Sequence, residues 1–282
     1  QSFGRGRVES SEDFGVQART PEHRELLDWL ASELMARQWS LKHIHRTILQ
    51  SAVYRQSAHI RPALRDADPE NRLLARQSRL RLEAEIIRDA ALAVSGLLCT
   101  TIGGPSVFPY QPEGVMTGRA DQSTWQVSDD ADRHRRGLYT HFWRTTPHPF
   151  LTLFDAPDAM ASCTRRTRSN TPVQALTLLN DPAFVEAAVA LGKRILHECP
   201  GATDVERLNW AANLCLGRTL TPEELAPLEV LLAQQRSAFA QHPERAAEIV
   251  GASDSDLPAP NLAAWTAVSR ALLNLDEFLT RE

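Results

Sequence analysis

The sequence predicts a mainly α protein, an irregular multi-helix domain with a long Pro/Gly-rich loop region and little or no sheet. Three observations carry that reading. A Thr or Asp stands directly before proline at Thr20-Pro21, Asp68-Pro69, Thr171-Pro172, Asp181-Pro182 and Thr221-Pro222, the pattern of a capped helix start. Apolar residues recur at steps of three and four through most of the chain. Between these segments, residues 99–170 lose periodicity, and the phrase GGPSVFPYQPEG packs three glycines and three prolines into twelve residues.

Residues 1–20 are polar and glycine-rich. They read as a truncated N-terminal remainder, the interior of a longer protein rather than its start. From Pro21, Leu26, Leu27, Leu30 and Leu34 fall on one helical face. Ser40 caps a second helix with Leu41, Ile44, Ile48, Leu49 and Ala52 at helical spacing. His45 lies beside that stripe and His43 off it. With no ligand-spaced partner, both read as solvated or core-edge histidines. Residues 56–67 form a connector. Asp68-Pro69 is expected to open a long helix over 69–95, with Leu73, Leu80, Ala84, Ile87, Ala91, Val94 and Leu98 as one seam and Gly96 as its end. The other faces carry Arg76, Arg79, Arg81, Glu83, Glu85, Arg88 and Asp89. They read either as a surface lattice with pairs such as Arg81 and Glu85, or with Glu85, Arg88 and Asp89 turned to an internal polar site.

Within the irregular region, 119–134 is expected to be the most mobile stretch, and GLYTHFWRT a short strand or an extended loop. Helices resume at Thr171 and restart at Asp181-Pro182. The segment DVERLNWAANLCL is another, ended by Gly217. Thr221, Pro222 and Glu224 make a capping box. The connector 241–260 reads as exposed. Asn261 is expected to cap a last helix with Leu262, Trp265, Val268, Leu272, Leu275 and Leu279 on one face. The sum is a single α-helical domain over 21–282, with 21–98 and 171–282 as sub-units joined by 99–170.

The net charge of −4 argues against a general nucleic-acid binder. No apolar run approaches the roughly 20 residues of a membrane span. Cys99, Cys163, Cys199 and Cys215 form no C-x-x-C or C-x-x-C-H, so neither a zinc ribbon nor attached haem is signalled. One or two disulfides and four buried thiols both remain open. The common catalytic motifs are missing. Cys163 with His141 or His148 as a thiolate pair, and His141, His148 and Asp155 as a metal set, lack any recognisable spacing. No catalytic or metal residue is therefore assigned.

The arginines say more. Between Arg133 and Arg168 seven arginines face two acids, Asp155 and Asp158, a local balance of +5 in an acidic chain. Guanidinium forks suit carboxylate, sulfate or phosphate, and neighbouring aromatics suit stacking. The candidate ligand-binding set is Arg135, Arg136, Tyr139, His141, Trp143, Arg144, Asp155, Arg165 and Arg166, with Glu85 and Asp89 as supporting acids. The competing expectation is that these arginines pair internally with Glu83, Glu85, Asp89, Asp155 and Asp158.

The phrases PEHRELLDWLASE, WSLKHIHRTILQSAVYRQS, RRGLYTHFWRTTPHPFLTLFDAPD, RRTRSNTPVQALTLLNDPAFVEAA and ALLNLDEFLTR occur in this order almost end to end. They resemble the planctomycete cytochrome-associated C-terminal domain known as domain of unknown function 1553. The resemblance implies an exported protein, periplasmic or at the cell surface, with a cytochrome-like module and another uncharacterised domain upstream. Haem c is then expected only in that upstream module, with no cofactor in this chain, and an oxidising setting favours disulfides. The resemblance brings no catalytic set. The function expected is a non-catalytic interaction or substrate-docking module. The alternatives are an enzyme on anionic polysaccharide, with Glu85 or Asp155 as acid–base, and a redox partner touching an upstream haem through Tyr139 and Trp143.

Overall fold

The computed structural model describes residue 6, residue 21, and residues 23–115, 124–251 and 256–281. Residues 1–5 and 7–20 of the expected remainder, Thr20 among them, and residues 119–123 of the stretch expected to be mobile lie outside these. The fold is mainly α: twelve α-helices and one two-stranded sheet among the described residues. The chain divides into two compact units.

The first unit comprises residues 1–81, 163–165 and 280–282. Helix α1 (Arg24–Ala36) and helix α2 (Leu41–Gln50) are joined by a turn in which Gln38 and Trp39 take left-handed φ angles of 53° and 60°. The Ser40 hydroxyl accepts from His43 N, the expected cap. His43 Nε2 meets Glu33 Oε1 at 2.7 Å, so this histidine is a half-buried partner of a surface acid. A short helix α3 (Pro62–Ala67) occupies the expected connector.

The long helix expected from 69 does not form. The Asp68 carboxylate accepts from the backbone N–H of both Arg72 and Leu73, at 2.7 and 3.0 Å, which closes a local turn instead of opening a helix. Asn71 and Leu74 then take left-handed φ angles, which no α-helix permits. The seven-residue step from Leu73 to Leu80 had hidden this break, and Leu73 is 70% exposed. Gln56 donates to Leu74 O and Gln77 to Tyr54 O, so side-chain amides tie the segment down. Strand β1 (Leu80–Arg81) pairs antiparallel with β2 (Thr280–Arg281), Leu80 opposite Arg281.

The second unit comprises residues 82–162 and 166–279. Its first helix, α4 (Ala84–Ser95), is the surviving half of the expected seam, and Gly96 ends it at φ +80° as anticipated. Three short helices follow in the irregular region: α5 (Asp130–Arg133), a 3₁₀ turn over Gly137–Tyr139, and α6 (Pro149–Leu153). Instead of a strand, GLYTHFWRT supplies that turn and a single bridge between Thr140 and Val107.

Helices α7 (Pro172–Asn180), α8 (Pro182–Glu198), α9 (Asp204–Leu216) and α10 (Pro222–Gln241) begin where the prolines and caps place them. Thr171 with Gln174 and Thr203 with Glu206 form complete capping boxes, and Asp181 ends α7 and starts α8. Two expectations fail near the C-terminus. The connector 241–260 holds a further helix, α11 (Pro243–Val250), which buries Ala246 and Val250 one turn apart. The last helix, α12 (Ala259–Leu273), starts after Pro258; Asn261 Oδ1 accepts from Arg236 Nε rather than capping. It stops short of Leu275, which is exposed.

α12 is the central post of this unit. Leu262, Trp265, Val268 and Leu272 are fully buried against α8, α10 and α11. Where α8 crosses, Gly192 leaves room for Thr266, whose backbone N would stand 3.3 Å from an added Cβ. The other side of α8 meets α4, and this contact positions the polar residues below.

Candidate functional site

The polar hub grows from α4. Glu85, Arg88 and Asp89 lie three and four residues apart and so share one helical face. Asp89 and Arg88 are buried and Glu85 half-buried. The inward reading of this triplet therefore describes the geometry, and Glu85 pairs with Arg166.

Asp89 receives the turn after Arg135. Its Oδ1 accepts from Gly137 N at 2.6 Å and its Oδ2 from Arg136 Nε at 3.1 Å. Only glycine lets this turn approach, because an added Cβ at Gly137 would stand 2.9 Å from Glu85 Cβ and 3.0 Å from its Cα. Arg88 donates to the carbonyls of Arg135 and Arg133, at 2.7 and 2.5 Å. Burial lowers its pKa from the usual guanidinium value, opposed by the charges of Asp89, Asp181 and Glu186.

Arg135 is almost wholly buried and spends its guanidinium on backbone. It donates to Pro105 O at 3.1 Å, to Thr101 O at 3.3 Å and to Gly103 O, and it lies 3.9 Å over the Tyr139 ring. The Tyr139 hydroxyl accepts from Gly103 N at 2.8 Å. Two of the candidate ligand contacts thus hold the 101–105 loop together. Arg166 makes a bidentate pair with Glu85, at 2.7 and 3.1 Å, and also reaches Glu83 at 3.2 Å. Arg168 approaches Glu83 at 3.8 Å. Asp155, at φ +61°, accepts from Ser169 N and Ser169 Oγ, both at 2.7 Å.

Beyond this hub is an aromatic group. His141 stacks on Phe108 at 4.6 Å and meets Trp143 edge-on at 5.1 Å. Trp125 stands 5.1 Å from Phe108 and 5.7 Å from Trp143. His141 Nε2 is buried with no hydrogen-bond partner. His148 faces Trp125 at 5.6 Å and contacts Tyr110 O through Nε2 at 2.9 Å; burial pushes its pKa down to about 4. Arg144 follows Trp143, is exposed, and has no hydrogen bond or ion pair among the described residues. Arg165 is also exposed and belongs to the first unit. The structure therefore brings together Arg135, Arg136, Tyr139, Arg166, Glu85 and Asp89, with His141 and Trp143 in the adjoining aromatic group.

Sequence reasoning passed over one further cluster. A cleft of about 20 Å³, enough for a single water, is lined by Arg88, Tyr110, Arg133, His134, Phe184 and Glu186. Glu186 bridges Arg133 at 2.6 Å and His134 at 3.3 Å. More than fifty residues separate these partners, so no local spacing could have announced them. The α8 face carrying Glu186 was the one available signal. Among the described residues no group of three or more His, Cys, Asp or Glu is placed to hold a metal ion. The four cysteines are free thiols, with Cys163 exposed. No single described helix is long and apolar enough to cross a membrane.

Fold and site together define a mainly α protein with an arginine-tied polar hub. The chain belongs to the PSD1 family, proteins of unknown function (DUF1553), whose profile matches residues 1–232. Searches of curated proteins and of solved structures found no match.

Proposed function

We propose that this chain is a non-catalytic interaction or docking module of a larger exported protein, with anionic polysaccharide as its ligand class. The planctomycete, haem-bearing context with an upstream cytochrome-like module is part of the same proposal and rests on the resemblance described above. One observation carries the non-catalytic reading. Each acid of the candidate set already serves as an acceptor: Glu85 for Arg166, Asp89 for Arg136 and Gly137 N, Asp155 for Ser169. A general acid or base needs a carboxyl group within reach of substrate and able to exchange its proton, and these are committed to holding backbone and guanidinium groups in place.

Docking falls to what the hub leaves over. Arg144 is exposed directly after Trp143, next to a group of three other aromatic rings. A guanidinium beside an aromatic face suits a sugar ring carrying carboxylate or sulfate. The test is a glycan-array screen followed by titration of the best sulfated or carboxylated glycan. Binding should weaken with added salt, and Arg144→Ala should cost about 1 kcal/mol, roughly fivefold in Kd. Binding indifferent to both salt and Arg144→Ala would sink this reading.

A further inference from the structure

Charge is spread very unevenly along the chain. Residues 37–81 carry ten Lys and Arg against three acids, Asp66, Asp68 and Glu70, a net +7. The rest of the chain holds 21 bases against 32 acids, a net −11. The basic excess falls in the first unit, and its fold leaves most of that charge uncompensated. The buried Asp68 carboxylate is taken by the backbone N–H groups of Arg72 and Leu73. Glu70 pairs with Arg72 at 3.0 Å. Asp66 is exposed and has no ion pair among the described residues.

Four arginines of this stretch gather around α3. Arg61 stands at its start and Arg65 one turn on, so both fall on one side of the helix. Arg61 donates to Ala75 O at 3.0 Å, and Arg76 to Asp68 O and Pro69 O at 3.1 and 2.7 Å, where α3 ends. Residues 54–57 run beside the same segment, with Gln77 N donating to Ser57 O, Gln77 Nε2 to Tyr54 O and Gln56 Nε2 to Leu74 O. Arg55 belongs to that run. Its side chain and that of Arg65 are exposed and without hydrogen bond or ion pair among the described residues. Arg61 and Arg76 bond only to carbonyls, which position a guanidinium and leave its charge in place.

We propose that this arginine surface around α3 is a second contact for anionic polysaccharide, taking successive sulfate or carboxylate groups along the polymer. It rests on the ligand class given above and is independent of Arg144. Charge complementarity selects a polyanion, and the scarcity of aromatic rings selects its kind. Between 51 and 81 the one Phe, Tyr or Trp is Tyr54, and Arg281 lies over its ring at 5.6 Å. Single-stranded nucleic acid is held by charge together with aromatic rings on which bases stack. A charged surface without open rings suits a polymer recognised through its anionic groups.

The experiment is anisotropy titration of fluorescein-labelled heparin with the full chain, in a series of salt concentrations. Binding is expected despite the net charge of −4, weakening as salt rises. Arg55→Ala with Arg65→Ala should raise Kd about tenfold or more and make the dependence of log Kd on log salt shallower. Arg245→Glu changes the net charge by the same amount outside this unit and should shift Kd less than about twofold. Far-UV circular dichroism checks that each variant is folded. If the double variant loses binding while Arg144→Ala keeps it, this surface stands and the Arg144 contact falls. Loss in Arg144→Ala with the double variant unaffected overturns the proposal. So does the absence of heparin binding, an equal loss in Arg245→Glu, or tighter binding to an oligonucleotide or to phosphatidylglycerol vesicles than to heparin.

Discussion

His148 gives the chain a pH-dependent stability whose size follows from its surroundings. The ring is buried at the start of α6 beside Trp125, with Nε2 on the Tyr110 carbonyl, and burial followed by the charge of Arg88 disfavours its protonation. Its pKa lies at about 4 in the folded chain, against 6.5 when unperturbed. Between those values the unfolded chain takes up a proton that the folded one refuses. Stability is therefore complete above 6.5 and falls as the pH drops toward 4. At ~1.36 kcal/mol per pH unit the full loss is about 3 kcal/mol, and about 2 kcal/mol by pH 5. Urea unfolding midpoints at pH 7.5, 6.5, 5.5 and 5 measure it. Half-buried Asp181, whose pKa is raised by desolvation, contributes with the opposite sign in the acid range, so the comparison must be with His148→Gln. The glutamine can still donate to Tyr110 O but takes no proton. The wild-type chain should lose stability between pH 6.5 and 5 that the variant keeps. Parallel curves for the two would refute the reasoning.

Two substitutions probe the hub itself. Gly137→Ala places a methyl group 2.9 Å from Glu85 Cβ and against its backbone, and the stretch falls on the 2.6 Å bond to Asp89. The expected cost is about 2 kcal/mol, a fall in thermal midpoint of roughly 4–8 °C. Gly103→Ala, with nothing within 4 Å and only its φ of +84° to strain, should cost no more than about 1 kcal/mol. Equal effects would show that the close approach does not matter. For the half-buried Glu85–Arg166 fork, a double-mutant cycle of Glu85→Gln and Arg166→Met in urea should give a coupling of about 1–2 kcal/mol. A coupling near zero would mean solvent screens it completely.

The starts of α7 to α10 were legible because each is written within four residues. Thr171-Pro172 with Gln174 and Thr221-Pro222 with Glu224 announce themselves, since the cap, the missing N–H and the reciprocal acid or amide are all local. Helix α11 was not read from the sequence: the prolines of 241–260 and the glycine and aspartates after Val250 carry a connector signal, against which Pro243 and the Ala246–Val250 step weigh little. The break at 68–79 was not visible in the same way. Asp68 before proline is a good helix cap and an equally good acceptor for a compact turn, and only Asn71 and Leu74 at positive φ decide between them. The arginines were legible as a cluster and not in their partners. Charge counting offers Arg135 a carboxylate, whereas its hydrogen bonds go to carbonyls of Thr101, Gly103 and Pro105, about thirty residues away and identical in kind to every other carbonyl in the chain.

Asp181 is at once the last stop of α7 and the first cap of α8, where the chain turns by 56°. No slack linker separates the two helices, so their rotational phase is locked through one residue. A single inserted alanine at this corner would turn everything beyond it by ~100° about the α8 axis. Leu191, Gly192 and Ile195, now packed in the core, would swing toward water and present polar neighbours such as Lys193 to α12 in their place. The corner tolerates substitution far better than a change of length, and a length-preserving shuffle of this segment is the edit the fold can absorb.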